Sequence, residues 1–166
     1  YRIGMWGGRD VEGAILINAV TGGHQYYPVD KIPTWVDQVY HADMLLEQMT
    51  YVTPNEHEAA LLFPGAGNLE KRIEAENGRL IVTLGSEGAV AWWKGELLKV
   101  PARPAKVVDT TGAGDTFNGA LACALAEGKD LGEALSFANL AAGLSTEKYG
   151  AQGGMPTADQ MRNAAY

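Results

Sequence analysis

The sequence predicts an α/β fold with a mostly parallel sheet and one antiparallel hairpin. Three observations carry this. Short apolar runs rich in β-branched residues, such as AILINAV (14–20) and RLIVTL (79–84), alternate with helical patterns. The helical stretches space their apolar residues three and four apart, as in TWVDQVYHADMLLEQM (34–49). Two strand-like runs, AVAWW and ELLKV, flank Lys94-Gly95, the signature of a tight hairpin.

Taken in order, AILINAV follows Gly13 and reads as a buried strand. TGGHQYYPVDKIP (21–33) reads as a loop. The helix over 34–49 places Trp35, Val36, Val39, Met44 and Leu45 on its apolar side. MTYV (49–52) is a short strand expected to stop at Pro54. EHEAALLF (56–63) is a short helix closed by Pro64-Gly65, and NLEKRIEAEN (68–77) is a polar helix with Leu69 and Ile73 inward and Gly78 as its stop. RLIVTL is a second buried strand. Trp92 and Trp93 occupy successive strand positions, so their rings should face opposite sides of the sheet. KVV (106–108) is expected to be a strand. AGDTFNGALACALAEG (113–128) and LGEALSFANLAAGLSTEKYG (131–150) are helices, and TADQMRNAAY (157–166) is a terminal helix capped by Thr157. No internal repeat, low-complexity tract or interdomain linker is visible. Length alone indicates one domain, or a piece of a larger one.

A chain with 46% hydrophobic and 20% charged residues has material for a real core. The net charge of −7 argues against nonspecific binding to nucleic acid or anionic membranes. No apolar run approaches membrane-spanning length, and no secretory signal pattern is present, so a cytoplasmic setting is expected. One cysteine, Cys123, excludes an intrachain disulfide. Its place in LACALA suggests a small buried hydrophobe. His24, His41 and His57 share no metal-ligand spacing, and His57-Glu58 is not a zinc helix motif because Leu61 stands where the second His would be.

The chemistry concentrates in DTTGAGDTF (109–117). A strand is expected to end at Val108 and a helix to begin near Gly114. Glycines there let backbone approach a ligand closely, and Ala113 adds little bulk. The first amides of a helix have no intrahelical partner and carry the positive end of its dipole, which favours an anion. Asp115 lies in that first turn, where the same field favours its negative charge. A carboxylate beside a phosphate cradle can accept a proton from an attacking hydroxyl. The same nine residues also fit a helix-capping acid and a plain glycine turn. They are not a dinucleotide fingerprint, because Phe117 stands where a third glycine is needed, and no Walker-type loop occurs.

DTTGAGDTFNGAL resembles the C-terminal signature of the ribokinase (PfkB) family of carbohydrate kinases. Three more segments match in order. TPNEHEA (53–59) resembles the family's Asn-x-x-Glu motif, IVTLGSEGA (81–89) its nucleotide-binding strand and turn, and FANLAAGLSTEKYGAQ (137–152) the helix and loop beside the adenine. ILIN (15–18) more weakly resembles the strand preceding Asn-x-x-Glu. The resemblance implies a three-layer sandwich, a mostly parallel sheet with helices on both faces. It makes Asp115 the general base toward a sugar hydroxyl, with the amides of Gly112, Ala113 and Gly114 as the anion hole. Glu58, with Asn55, would organise Mg²⁺. Thr83, Gly85 and Gly88 would line the phosphates and ribose of ATP, and Asn139 the adenine. Asp109 and the Thr111 carbonyl would hold a monovalent cation, K⁺, with carbonyls added by the loop around Thr146, Tyr149 and Ala151. The substrates implied are ATP and a ribose-like sugar. Taken alone, Asn55 and Glu58 also read as an N-cap and its capping-box partner. Glu87 stands where the family frequently has a basic residue.

The resemblance covers 51–166 well and 1–50 weakly, so 1–166 reads as a single partial domain. Neither the half of the family fold that supplies sugar contacts nor its β-lid is recognisable. An exposed sheet edge would then need a cover, which predicts a homo-oligomer, a partner chain or a longer protein. Two functions stay open: the nucleotide-binding, catalytic part of a sugar kinase, or a non-catalytic nucleotide-binding or assembly module retaining the fold.

Overall fold

The computed structural model describes residues 13–17, 24–28, 31, 48–63 and 68–164. The chain divides into two compact units, Tyr1–Gln48 and Met49–Tyr166. The helix expected over 34–49 lies outside the described residues except for its last two positions.

In the first unit, β1 (Gly13–Ile17) pairs antiparallel with β2 (His24–Pro28), from Gly13 opposite Pro28 to Ile17 opposite His24. The expectation of a loop throughout 21–33 is corrected at β2. Its centre is Gln25-Tyr26-Tyr27, and aromatic residues favour the extended chain. Gln25 and Tyr27 share a strand face, and the Tyr27 hydroxyl donates to Gln25 Oε1 at 3.0 Å. The segment leading into Asn55 forms isolated bridges at Val52 and Asn55 in place of the short strand expected over 49–52.

The second unit is layered. Its sheet has the order β3 (Ile81–Thr83), β4 (Ala89–Trp93), β5 (Glu96–Val100), all antiparallel. Parallel pairing enters through two bridges, Val52 with Leu80 and Asn55 with Thr83. The extended segment therefore runs past Pro54 instead of stopping there. Proline lacks only the donor, and the Pro54 carbonyl accepts from Thr83 N–H at 3.0 Å. The hairpin turns at Lys94 (φ 52°) and Gly95 (φ 85°), two left-handed residues that match the twist of the flanking strands.

Alternation along the strands divides the core between two faces. Ile81, Ala89, Ala91 and Val100 pack with Phe117 and Leu121 of α3 (Ala113–Ala126) and Leu135 of α4 (Leu131–Ser145). Leu80, Val82 and Val90 face the other way, toward Ala59 of α1 (Glu56–Leu62) and Ile73 of α2 (Leu69–Ala75). Helices thus cover both faces, as a three-layer fold requires. Fully burying a side chain such as Ile73 or Leu135 contributes about 1.5–3 kcal/mol. Trp93 packs with the first cluster and Trp92 with the second, so the two rings do lie on opposite faces.

Three further corrections follow. Residues 106–108 form no strand. The amides of Val108 and Asp109 both donate to the Thr146 carbonyl, at 2.7 and 3.1 Å, so the segment is tied to the end of α4 instead of to a ladder. Cys123 is exposed, not buried. The inward stripe of α3 runs through Leu121 and Ala124, and Cys123 falls beside it. A short helix, α5 (Ala151–Gly154), follows Gly150 where only a loop was expected. The terminal helix α6 (Ala158–Ala164) opens as predicted, with Thr157 Oγ1 accepting from Gln160 N–H at 3.3 Å. Among the described residues no helix is long and apolar enough to cross a membrane.

Candidate active site

A cleft of about 240 Å³ opens where the extended segment 52–55 and β3 end against the start of α3. Thr53, Asn55, Glu58 and Thr83 line one part, and Gly112, Gly114, Asp115 and Asn118 the other. Ligands of α/β folds bind beyond the carboxyl ends of parallel strands, and this cleft lies beyond the parallel pair. The structure therefore brings six predicted residues together: Asn55, Glu58, Thr83, Gly112, Gly114 and Asp115.

The turn into α3 depends on glycine. Gly112 caps the helix in the left-handed region (φ 78°), and a Cβ there would come within 2.7 Å of Ala151 Cβ. Gly114 differs: it lines the cleft, and a Cβ built on it meets nothing within 4 Å. The Ala113 N–H donates to the Thr110 carbonyl at 3.2 Å, so of the three predicted anion-hole amides it is already engaged. The cradle rests on Gly112 and Gly114. Asp115 is exposed in the first turn.

Across the cleft, Asn55 and Glu58 form a capping box at the start of α1. Glu58 N–H donates to Asn55 Oδ1, and Asn55 N–H donates to Glu58 Oε2, both at 2.9 Å. The structural reading of this pair is correct, and the same box fixes a carboxylate at the cleft wall.

Asp109 is not at the cleft wall. Its Oδ1 accepts from Thr111 N–H and its Oδ2 from Gly150 N–H, each at 2.9 Å. The Gly150 bond first, then those from Thr111, hold its carboxyl below the usual carboxylate value. The Thr146 carbonyl, expected near a cation, accepts two amides instead. Among the described residues no group of three or more His, Cys, Asp or Glu could hold a metal ion.

The remaining predicted residues lie away from the cleft lining. Gly85 (φ 54°) is exposed in a single 3₁₀ turn, Gly85–Glu87. Gly88 is buried, and a Cβ there would sit 2.1 Å from the Val100 carbonyl, so its role is close passage of the turn over β5. Asn139 is only 6% exposed, and its Nδ2 donates to the Val100 carbonyl at 2.9 Å and to that of Pro101 at 3.3 Å. That amide ties α4 to the end of β5. Sequence reasoning missed Thr53 and Asn118. Both were within reach: Thr53 is two residues before Asn55 on an extended chain, and Asn118 is one helical turn after Asp115.

A layered α/β unit with an open cleft at a glycine-edged helix N-terminus has a geometry that favours an anion. The model of the pfkB family of carbohydrate kinases matches residues 19–158, and the chain belongs to that family. Over 118 residues it is 48% identical to a ribokinase of Lactococcus lactis, covering 71% of this chain and 39% of the relative. A Bacillus subtilis ribokinase is 47% identical over 116 residues, covering 70% and 39%. The chain thus spans about two fifths of the length of these curated relatives. Among solved structures, a ribokinase of Thermotoga maritima superimposes with a TM-score of 0.69 at 35% identity, covering 77% of this chain and 46% of that one. An Arabidopsis thaliana ribokinase complexed with ribose and ATP gives 0.65 at 35% identity, covering 72% and 42%. The fold is therefore ribokinase-like.

Proposed function

We propose that this chain carries the ATP-binding and phosphoryl-transfer part of a ribokinase-like enzyme, which moves the γ-phosphoryl group of ATP to a sugar hydroxyl. The observation that carries this is the shared cleft of Asp115, Glu58 and Gly114. Ribose is the acceptor class, because the relatives are ribokinases and one was crystallised with ribose and ATP.

In this reading Asp115 takes the proton of the attacking hydroxyl. The hydroxyl oxygen bonds to the γ-phosphorus, and the bond from that phosphorus to the bridging oxygen of ADP breaks. The amides of Gly112 and Gly114 face the negative charge that spreads over the transferring group. Open space at Gly114 and the unpaired amides of a helix start fit a phosphate. Mg²⁺ fits the other wall, where Glu58 Oε1, the oxygen outside the capping box, would be a ligand held in place by the Asn55 N–H, with water and phosphate supplying the rest. When bound, it neutralises phosphate charge. K⁺ at Asp109 fits less well, since both carboxylate oxygens already accept amide hydrogens, and no step is derived through it.

The second reading is a non-catalytic nucleotide-binding or assembly module that retains the fold. In either case we place a partner chain or second copy beside the 52–55 segment, where Met49 and Tyr51 are exposed.

The test is ATP–Mg²⁺ binding and ribose phosphorylation, with and without Asp115→Asn. The expected result is that the chain binds ATP–Mg²⁺. In a form that turns ribose over, the variant should lower turnover by ~10²–10⁴ and leave ATP affinity nearly intact. Unchanged turnover would remove Asp115 from the base role. Absence of nucleotide binding would remove the whole reading.

A further inference from the structure

Asp109 joins two segments that are far apart in sequence. One carboxylate oxygen accepts from Thr111, at the entrance of the α3 turn, and the other from Gly150, at the entrance of α5. Two more contacts run between the same segments. The Thr146 carbonyl accepts the amides of Val108 and Asp109. Ala151, the first residue of α5, lies against Gly112 so closely that a Cβ on Gly112 would approach it to 2.7 Å. The anion-binding turn thus has the 146–151 segment directly behind it, fastened by a charged hydrogen-bond acceptor.

We infer that Asp109 is a positioning residue that staples the 146–151 segment to the back of the Gly112–Gly114 turn and so sets the shape of the anion cradle. It touches no reacting atom. It acts through Gly112, which rests on Ala151, and through Thr111, whose amide it orients. This inference rests on the phosphate reading of the cleft. It departs from the expectation drawn from the family resemblance, in which Asp109 serves a cation.

Asp109→Asn tests it on the 166-residue chain. An amide side chain keeps one acceptor oxygen and replaces the other with a donor, so one of the two backbone bonds must be lost. Hydrogen exchange at Gly150, Thr111 and Thr116, whose N–H donates to the Gly112 carbonyl at 2.9 Å, is read without ligand. ATP–Mg²⁺ affinity is read by calorimetry in potassium and in tetramethylammonium buffers. The expected result is faster exchange at Gly150 or Thr111 together with Thr116. Nucleotide affinity should fall ~10-fold in both buffers, the scale of losing a charged hydrogen bond. As a control, Asn68→Ala removes the α2 cap, whose Oδ1 accepts from Glu70 N–H, and should lower stability without changing nucleotide affinity. Loss of affinity in potassium alone would make Asp109 a cation ligand and overturn the staple. Unchanged exchange at Thr116 would overturn it as well. Failure of the wild-type chain to bind nucleotide would instead defeat the phosphate reading, and the exchange experiment would still decide whether the staple exists.

Discussion

Asn55 and Glu58 hold each other across the first turn of α1, each side chain accepting the other's backbone N–H at 2.9 Å. The cap and the carboxylate at the cleft wall are one device. Asn55→Ala should cost about 1 kcal/mol of stability in urea denaturation, the usual worth of an N-cap. It should leave the Mg²⁺-dependent part of nucleotide binding nearly unchanged, because the Asn55 backbone N–H that anchors Glu58 Oε2 survives the substitution. Glu58→Gln keeps an acceptor for the Asn55 amide, so it should weaken Mg²⁺-dependent binding with little loss of stability. Equal loss of stability in both variants would argue against this division.

Asn139→Ala should act on the fold. Its buried Nδ2 satisfies the carbonyls of Val100 and Pro101, and removing it leaves buried acceptors without a donor. The expected cost is about 1–3 kcal/mol in chemical denaturation. Discrimination between ATP and GTP, measured by competition, should be unchanged. Altered base preference at unchanged stability would restore the adenine role expected from the family resemblance.

Acid should reveal the cap of α4. Asp130 Oδ1 accepts from Glu133 N–H at 3.0 Å, and Lys94 Nζ lies 3.4 Å from its other oxygen. The Glu133 amide foremost, with Lys94 adding, holds the Asp130 carboxyl below its usual 3.8. A lowered folded value means the stabilisation is complete above the unfolded value and is lost as pH falls through the folded one. Asn also caps helices well, so Asp130→Asn isolates the charge. The wild type should melt above the variant at pH 7, and the gap should close toward pH 3. A gap that widens in acid would reverse the assigned sign.

What the sequence disclosed follows the range of the forces involved. Helix starts such as Thr157 and the Lys94-Gly95 hairpin were legible because capping and turn chemistry act within a few residues. The opposite faces of Trp92 and Trp93 were legible because strand alternation is geometric. The failures are tertiary. Residues 106–108 have strand composition, yet the Val108 amide donates to the Thr146 carbonyl and the Lys106 amide to Glu147 Oε1, and nothing local announces those partners. Pro54 looked like a stop, but the parallel pairing needs only its carbonyl. At the site, Asp115, Glu58 and Gly114 converge as the motifs indicated. The bond from Gly150 to Asp109 crosses from one motif to another, so nothing within DTTGAGDTF announces it.

The most direct measurement concerns Gly114. Gly114 lines the cleft, and a Cβ there meets nothing in the protein within 4 Å. Gly114→Ala should therefore stabilise α3 by roughly 0.5–1 kcal/mol, the ordinary gain of alanine over glycine in a helix. The same methyl should obstruct a phosphate, so ATP–Mg²⁺ affinity measured by calorimetry should fall at least tenfold while Tm holds or rises. Unchanged affinity in a variant of equal or higher stability would contradict the claim that the start of α3 receives the phosphoryl group.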